Sequence, residues 1–409
     1  MRETTICCRH SSATAARNKT VLYVIGSFDL GGSERHLALI SPRLRKLGWR
    51  VCVFCLTREG TQAAEVKAAG VEIIRPPLSS VQGGWFLRAL RLALSSFKLM
   101  TLMAWRRPAI VHFFLPASYM IGAPLAILAR IPFRIMSRRS LNLYQQNHPV
   151  ARTIERHLHR HMSAILGNSR HVVRELVEGE HCPPDRVGLI YNGIDLSEFE
   201  RATSSFSHSD RARSKRPGLV LISVANLIPY KGHADLIEAL STIAPKLPPD
   251  WQLLCVGGDY GLGGKLREQV SELKLSERIQ FLGERRDVGA LLRSADIGLL
   301  CSHQEGFANA VLEGMAAGLP MIVTDVGGNS EAVVHGKTGL VVPPGDPYAI
   351  GQAILELASD APKRSAMGNA GLERVKRHFT IERCVSDYDR LYQGLQSGKL
   401  PAQIVGAMR

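Results

Sequence analysis

Acidic residues are few for the number of basic ones: 36 Asp and Glu stand against 51 Lys and Arg, a net charge of +15 over 409 residues. Other signatures are missing. Nothing has the spacing Gly-x-Gly-x-x-Gly, which counts against a dinucleotide oxidoreductase. Eight cysteines in such a length make no disulfide scaffold, and no Cys/His cluster has metal-ligand spacing. Cys52 and Cys55 lie three apart in a strand-like run, so they should point to opposite faces of a sheet, as buried thiols in a reducing compartment. No Asp/Glu pair stands out as the nucleophile and acid of a hydrolase. With 6% aromatics, no interleaved aromatic platform and no nucleic-acid motif, a nucleic-acid binder is disfavoured. The opening segment MRETTICCRHSSATAARNKT is polar and lacks the apolar core of a secretory signal. The uncharged run from Ala109 to Ala129 could span a bilayer by length. It holds His112, Pro116, Gly122 and Pro124, however, and opens as the strand AIVHFF. A buried strand followed by a short packed helix is expected, with no transmembrane span.

The chain is too long for one core and too apolar for disorder, so two domains are expected. Its charge is uneven. Residues 1–200 hold 27 Lys+Arg and 14 Asp+Glu, or +13; the remainder (51 − 27 = 24 against 36 − 14 = 22) is +2. A basic half suggests an anionic partner: nucleic acid, phospholipid headgroups or a phosphorylated substrate.

Strand and helix patterns alternate along most of the chain. Val21–Ile25, Arg50–Leu56, VEIIRP, IVHFF, FRIM, AILGNS and VGLIYNGID read as strands of one doubly wound domain over 17–200. The polar segment 201–217 reads as a linker. Alternation restarts with GLVLISVAN and continues through WQLLCVGG, RIQFLG, DIGLL, MIVT and GLVVPP, giving a second domain over 218–380. The helical segment 381–409 is expected to pack back on one of the two, the N-terminal one being the candidate. The fold class is therefore α/β: two Rossmann-like doubly wound parallel-sheet domains facing a cleft. Ligands of such sheets bind beyond the carboxyl ends of the strands, which confines the chemistry to the loops that follow them.

Three such loops stand out. Gly31 and Gly32, before a helix, allow close approach of backbone amides to a ligand; the alternative is a flexible turn with Ser33 as cap. Lys231 follows a strand in a Tyr-Lys-Gly turn, where its ammonium could face a phosphate; a solvated surface lysine is the alternative. In SHQEGFANAVLEGMAAGLP, Glu305 lies in a loop and Glu313 one turn into a helix. The amides of Gly306, Phe307 and Ala308 can then bind a phosphate or a sugar hydroxyl, and the carboxylates can accept from vicinal hydroxyls.

The Glu305-to-Glu313 spacing and the segment EGFANAVLEGMAAGLPMIVTDVGGNSEAV resemble the family-4 retaining glycosyltransferases of GT-B architecture. GGSER (31–35), NS (168–169), YNGID (191–195), ANLIPYKGH (225–233) and LVVPPGDP (340–347) support the likeness over nearly the whole chain. The resemblance implies a nucleotide-sugar donor, UDP- or GDP-linked, with no other cofactor and no metal. It implies that Glu313 binds the ribose, that Glu305 with Gly306 and Phe307 holds the transferred sugar, and that Lys231 neutralises the diphosphate. Gly31 and Gly32 would close on that diphosphate, and Ala308 and Asn309 complete the donor site. Asn192-Gly193 would form the turn into the hinge, and Ser169 a helix cap.

Two positions depart from the family pattern. Asn226 stands where many relatives carry an arginine beside the diphosphate, so Arg138 or Arg139 is expected to supply the missing cation. Many relatives also carry a histidine after the strand corresponding to FRIMS, where Arg138 is the nearest match; that places Arg138 among the catalytic candidates with Glu305 and Lys231. His112 is a weaker candidate, a packed histidine being the alternative. Asp387-Tyr388-Asp389 has the Asp-x-Asp form of a metal site, but in a late helical stretch where solvated acids are expected.

The resemblance implies a saccharide acceptor, lipid-linked, in cell-surface polysaccharide or glycolipid synthesis. Residues 83–107, with Arg88, Arg91, Lys98, Arg106 and Arg107 among large apolar side chains, suggest docking on an anionic membrane; a core-packed helix is the alternative. The expected location is cytoplasmic, peripheral on the inner face of the cytoplasmic membrane. A nucleotide-sugar epimerase or a non-catalytic nucleotide-sugar-binding protein of the same architecture remain as other readings.

Overall fold

The computed structural model describes residues 18–29, 31–77, 84–141, 145, 148–202 and 218–406. Gly83 and all but the first two residues of the expected linker 201–217 lie outside the described residues.

The first sheet contains β1 (Thr20–Ser27), β2 (Arg50–Arg58), β3 (Glu72–Ile74), β4 (Ile110–Phe114), β5 (Phe133–Arg138), β6 (Ala164–Gly167) and β7 (Val187–Leu189). Their order is β3-β2-β1-β4-β5-β6-β7 with every pairing parallel. The second contains β8 (Val220–Val224), β9 (Gln252–Val256), β10 (Ile279–Gly283), β11 (Ile297–Leu300), β12 (Met321–Thr324) and β13 (Gly339–Val342), in the order β10-β9-β8-β11-β12-β13, also all parallel. Both sheets reverse their winding beside the first strand, between β1 and β4 and between β8 and β11. These are the switch points where doubly wound sheets leave a crevice.

Both faces of each sheet are covered, which is why the strands read as continuous apolar runs. Along β1, Val21, Tyr23 and Ile25 enter one cluster of the core, and Leu22 and Val24 the other. Cys55 and Cys52 divide in the same way, and burial pushes both thiols up to about 12. The uncharged run folds as β4 followed by a helix over Pro116–Leu128. Gly122 of that helix lies against Phe113, whose ring would be 2.5 Å from any Cβ there. Among the described residues no helix is long and apolar enough to cross a membrane.

Four helices matter below: α1 (Gly32–Lys46), α2 (Trp85–Arg106), α3 (Asn309–Ala316) and α4 (Ile381–Gln396). Ile381, Cys384, Val385, Tyr388, Leu391, Tyr392 and Leu395 of α4 recur at helical spacing and bury against the first sheet. The chain therefore passes between the sheets near residues 191–195 and returns at 379–381. The two passages are bonded side by side, Ile194 N to Phe379 O at 2.9 Å and Ile381 N to Ile194 O at 3.0 Å. A Cβ on Gly193 would lie 2.6 Å from Thr380 O, so only glycine fits this crossing. The carboxyl ends of both sheets then open on a shared cleft of about 700 Å³.

Candidate active site between the two sheets

On the second sheet, β11 ends at Leu300 and α3 begins at Asn309, with Ala308 as its N-cap. The intervening loop carries Glu305. Its Oε1 accepts from Lys231 Nζ at 2.5 Å and from Ser302 Oγ at 2.7 Å. Lys231 reaches it from the turn Pro229–Lys231 after β8. That turn is closed by Gly232 in the left-handed region (φ 69°), where a Cβ would sit 1.8 Å from Cys301 O. The lysine turn and the glutamate loop are thus locked together by a glycine that no other residue can replace without movement. A second glycine pair holds the loop from behind. Gly328 N donates to Gly306 O at 2.8 Å, and a Cβ on Gly327 would lie 1.9 Å from Glu305 O.

Glu313 projects from α3 into the same cleft and is 7% exposed. Burial raises its pKa, and the guanidinium of Arg35 opposes that rise. α3 ends before Gly318, at φ 75°, as the Gly-Leu-Pro stop predicts. Asn226 also lines the cleft, where its Oδ1 accepts from Gly258 N at 3.0 Å.

The first sheet contributes the start of α1, where Gly31 is an N-cap without a side-chain cap bond. Ser33, Glu34 and Arg35 line the cleft with it. Arg35 crosses to the other domain and donates to Glu313 Oε1 at 2.5 Å. The Glu34 carboxylate folds back over Gly31, where a Cβ would be 2.3 Å from Glu34 Oε2. Gly32 faces α3: a Cβ there would be 3.9 Å from Asn309 Nδ2. Two helix N-termini thus face each other across the gap.

Arg138 requires a correction. It is 2% exposed and donates to Glu155 Oε2 at 2.9 Å and Glu180 Oε2 at 3.1 Å, within the first domain rather than along the cleft. Its neighbour Arg139 lines the cleft instead, donating to Asn192 Oδ1 at 2.6 Å and stacking 5.8 Å from the Phe114 ring. Strand parity accounts for the swap. Ile135, Ser137 and Arg139 share the face that meets α4, while Met136 and Arg138 share the other.

His112 is fully buried, with Nδ1 2.8 Å from Tyr392 Oη and Nε2 2.7 Å from Ser137 Oγ. Desolvation holds its pKa well below the usual value, so it is a packed, neutral histidine and not a cleft base. Asp389 of the Asp-x-Asp accepts from Trp49 Nε1 at 2.8 Å, while Asp387 pairs with Arg390 at 2.6 Å. Ser169 Oγ accepts from Val172 N at 3.1 Å as a helix cap.

Four residues gain roles that the sequence reading did not give them. Asn192, read as a hinge turn, donates to Phe307 O at 2.9 Å and Asn309 Oδ1 at 2.7 Å while accepting from Arg139. Glu331 of the second domain accepts from the amides of Arg170 and His171 and from Tyr191 Oη at 2.7 Å, tying the domains together. Glu34 and Arg35 sit inside the GGSER segment, of which only Gly31 and Gly32 carry an expected role. The signal for these was their place beside glycines at strand ends.

The arrangement has a definite chemical character. The positive ends of two helices and the ammonium of Lys231 favour a multiply charged anion. Glu305 and Glu313, flanking that anionic centre, accept hydrogen bonds and suit hydroxyl-bearing groups on either side of it.

Known proteins share this chain's pattern. Residues 30–198 match the family model described as Glycosyltransferase Family 4, and residues 207–374 the one described as Glycosyl transferases group 1. A D-inositol 3-phosphate glycosyltransferase of Corynebacterium urealyticum is 26% identical over 393 residues, covering 90% of this chain and 92% of that protein. An N-acetyl-alpha-D-glucosaminyl L-malate synthase of Bacillus anthracis is 34% identical over 210 residues, or 51% of this chain and 54% of its own. Among solved structures, Anabaena Alr3699/HepE in complex with UDP superposes with a TM-score of 0.78 at 21% identity, over 92% of this chain and 100% of that one. The same protein in complex with UDP-glucose gives 0.76 at 21% identity, over 92% and 99%.

Proposed function

The chain belongs to the family-4 glycosyltransferases, with the two-domain GT-B fold, and from that premise we propose a retaining hexosyl transfer. The donor is a nucleotide-sugar, UDP- or GDP-linked, and the acceptor a saccharide carried on a lipid. One observation carries this reading: Lys231 and Glu305, from two loops of one sheet, and Glu313, from α3, line a cleft that a second sheet closes. The likeness to a protein solved with UDP and with UDP-glucose supports a UDP-linked donor.

In this scheme the diphosphate lies between the N-termini of α1 and α3, the ribose hydroxyls donate to Glu313, and the transferred sugar lies against Glu305, Gly306 and Phe307. The acceptor hydroxyl attacks the anomeric carbon from the face the diphosphate leaves. The C1–O bond to phosphate breaks, the new C1–O bond forms, and the acceptor's proton passes to a departing phosphate oxygen. No protein base is needed, and the residues' task is to hold the charge that develops on the leaving group. Lys231 lines the cleft and presents its ammonium there. It is paired with Glu305, so donor binding trades one anionic partner for another. Arg139 is the first-domain cation that replaces the one absent at Asn226.

Lys231→Ala and Glu305→Ala should each lower turnover of the donor by about a hundredfold or more, since a lost charge-stabilising contact costs ~3 kcal/mol of the barrier. Unchanged rates in both variants would refute the assignment.

The acceptor side rests on α2, which holds no acidic residue. Trp85, Phe97 and Trp105 are 81%, 71% and 82% exposed beside Arg88, Arg91 and Lys98. Aromatic anchors with interspersed cations fit the headgroup region of an anionic bilayer, where lipid-linked saccharides are presented.

A further inference from the structure

We propose that Glu34 is an internal substitute for the donor's phosphate, holding the start of α1 and giving it up when a diphosphate arrives. The inference rests on the donor-site reading above and concerns a residue that reading leaves without a role.

The carboxylate of Glu34 does not point into solvent. It curls back onto its own helix start, so that Oε2 occupies the space a Gly31 side chain would take. There it sits against the helix start, where the amides of Glu34 and Ser33 and the guanidinium of Arg139 favour its charged form. Burial works against all three, raising its pKa. The first turn of any helix has unsatisfied amides, and an N-cap glycine offers no side chain to satisfy them. In α1 the carboxylate of the third helical residue lies in the space such a side chain would fill. A diphosphate bound at Gly31 and Gly32 requires the same amides and the same partial positive charge. Both anions cannot occupy them.

Arg35 performs the complementary act one residue later. It covers Glu313, the carboxylate assigned to the ribose, from across the cleft. Consecutive residues of one helix therefore occupy the two ends of the donor site, an anion at the phosphate end and a cation at the ribose end. When the donor enters, its ribose hydroxyls take Glu313 from Arg35, and its phosphates take the α1 amides from Glu34. Arg139 lies within the electrostatic reach of Glu34, so the arriving diphosphate and the carboxylate compete for the same cation as well. The arrangement sets an anion at the α1 helix end and a cation on the buried Glu313 carboxylate. Its cost is affinity, because the donor has to displace the chain's own groups.

The test is calorimetric titration of the full chain with UDP, GDP and ADP, and with the matching nucleosides. Glu34→Gln keeps the shape and removes the charge. It should bind the preferred nucleoside diphosphate about tenfold tighter than wild type, the scale of one charge at a helix end, with affinity for the nucleoside unchanged. Glu34→Asp retains the charge and serves as the folding and charge control; it should bind the diphosphate within a few-fold of wild type. Equal or weaker diphosphate binding by Glu34→Gln, with wild type binding normally, would overturn the substitute role and leave the donor site standing. A wild-type chain that binds none of the three diphosphates would overturn the donor-site reading, and this inference with it.

Discussion

At the residue scale, the neighbours Arg138 and Arg139 separate structural from functional charge. Arg138 compensates two buried carboxylates, Glu155 and Glu180. Deleting its charge strands them in the core, at about 3–5 kcal/mol for a broken buried pair. Arg138→Leu should therefore lower the melting temperature steeply. Arg139→Ala leaves the fold near wild type but slows transfer, and circular dichroism melts run beside donor turnover would distinguish the two. Turnover lost in Arg138→Leu with the melt unchanged would reverse the assignment. The sequence carried the information needed here, because residues 135, 137 and 139 share one strand face and 136 and 138 the other. The resemblance pointed one residue off, to the side chain nearest an absent histidine. Glu305, Glu313 and Lys231 were legible because their loops follow predicted strands. Asn192 was legible only as a turn, since its bonds to Phe307 and Asn309 join segments more than a hundred residues apart.

At the scale of the element, α2 departs most from ordinary burial. Among its residues only Ser95, Leu99 and Met103 are buried, one narrow stripe at helical spacing. Met100 and Leu102 are half-buried, and the other apolar side chains face outward, a pattern that packing within one chain does not explain. The protein should pellet with anionic vesicles at low salt and not with neutral ones. Trp85→Ser combined with Trp105→Ser should abolish pelleting while leaving transfer to a soluble acceptor intact. Equal recovery with both vesicle types would contradict the membrane reading. The strand–helix alternation was legible along almost the whole chain because parallel strands buried on both faces leave unbroken apolar runs. The destination of α4 was legible only as a candidate, the N-terminal domain, since its stripe of Tyr and Leu fits either sheet. The crossing at Gly193 and Thr380 fixes that choice in three dimensions.

For the whole molecule, two sheets are joined by a double crossing, by Glu331 on the start of a first-domain helix and by Arg35 on Glu313. Both domains also carry buried histidines. His36 and His112 in the first core, and His233 behind the lysine turn, are held below their ordinary pKa by desolvation; His233 is lowered to about 4, with Lys231 adding to the effect. Each is neutral when folded and takes up a proton when unfolded at pH below about 6.5. Their contribution to stability is thus complete above that pH and is lost as pH falls towards 4. Thermal melts should show a falling transition temperature between pH 6.5 and 4, and a flat profile there would contradict the neutral buried state.

The central claim is that a nucleotide's ribose and diphosphate span Glu313, Lys231 and the two helix starts. The most direct measurement compares the affinity of the preferred nucleoside diphosphate with that of its 2′-deoxy analogue, in wild type and in Glu313→Ala. Wild type should prefer the ribose form by about tenfold, the worth of a hydrogen bond to a charged group, and the variant should bind both forms equally. A wild type indifferent to the 2′-hydroxyl, or a preference that persists without Glu313, would contradict the account.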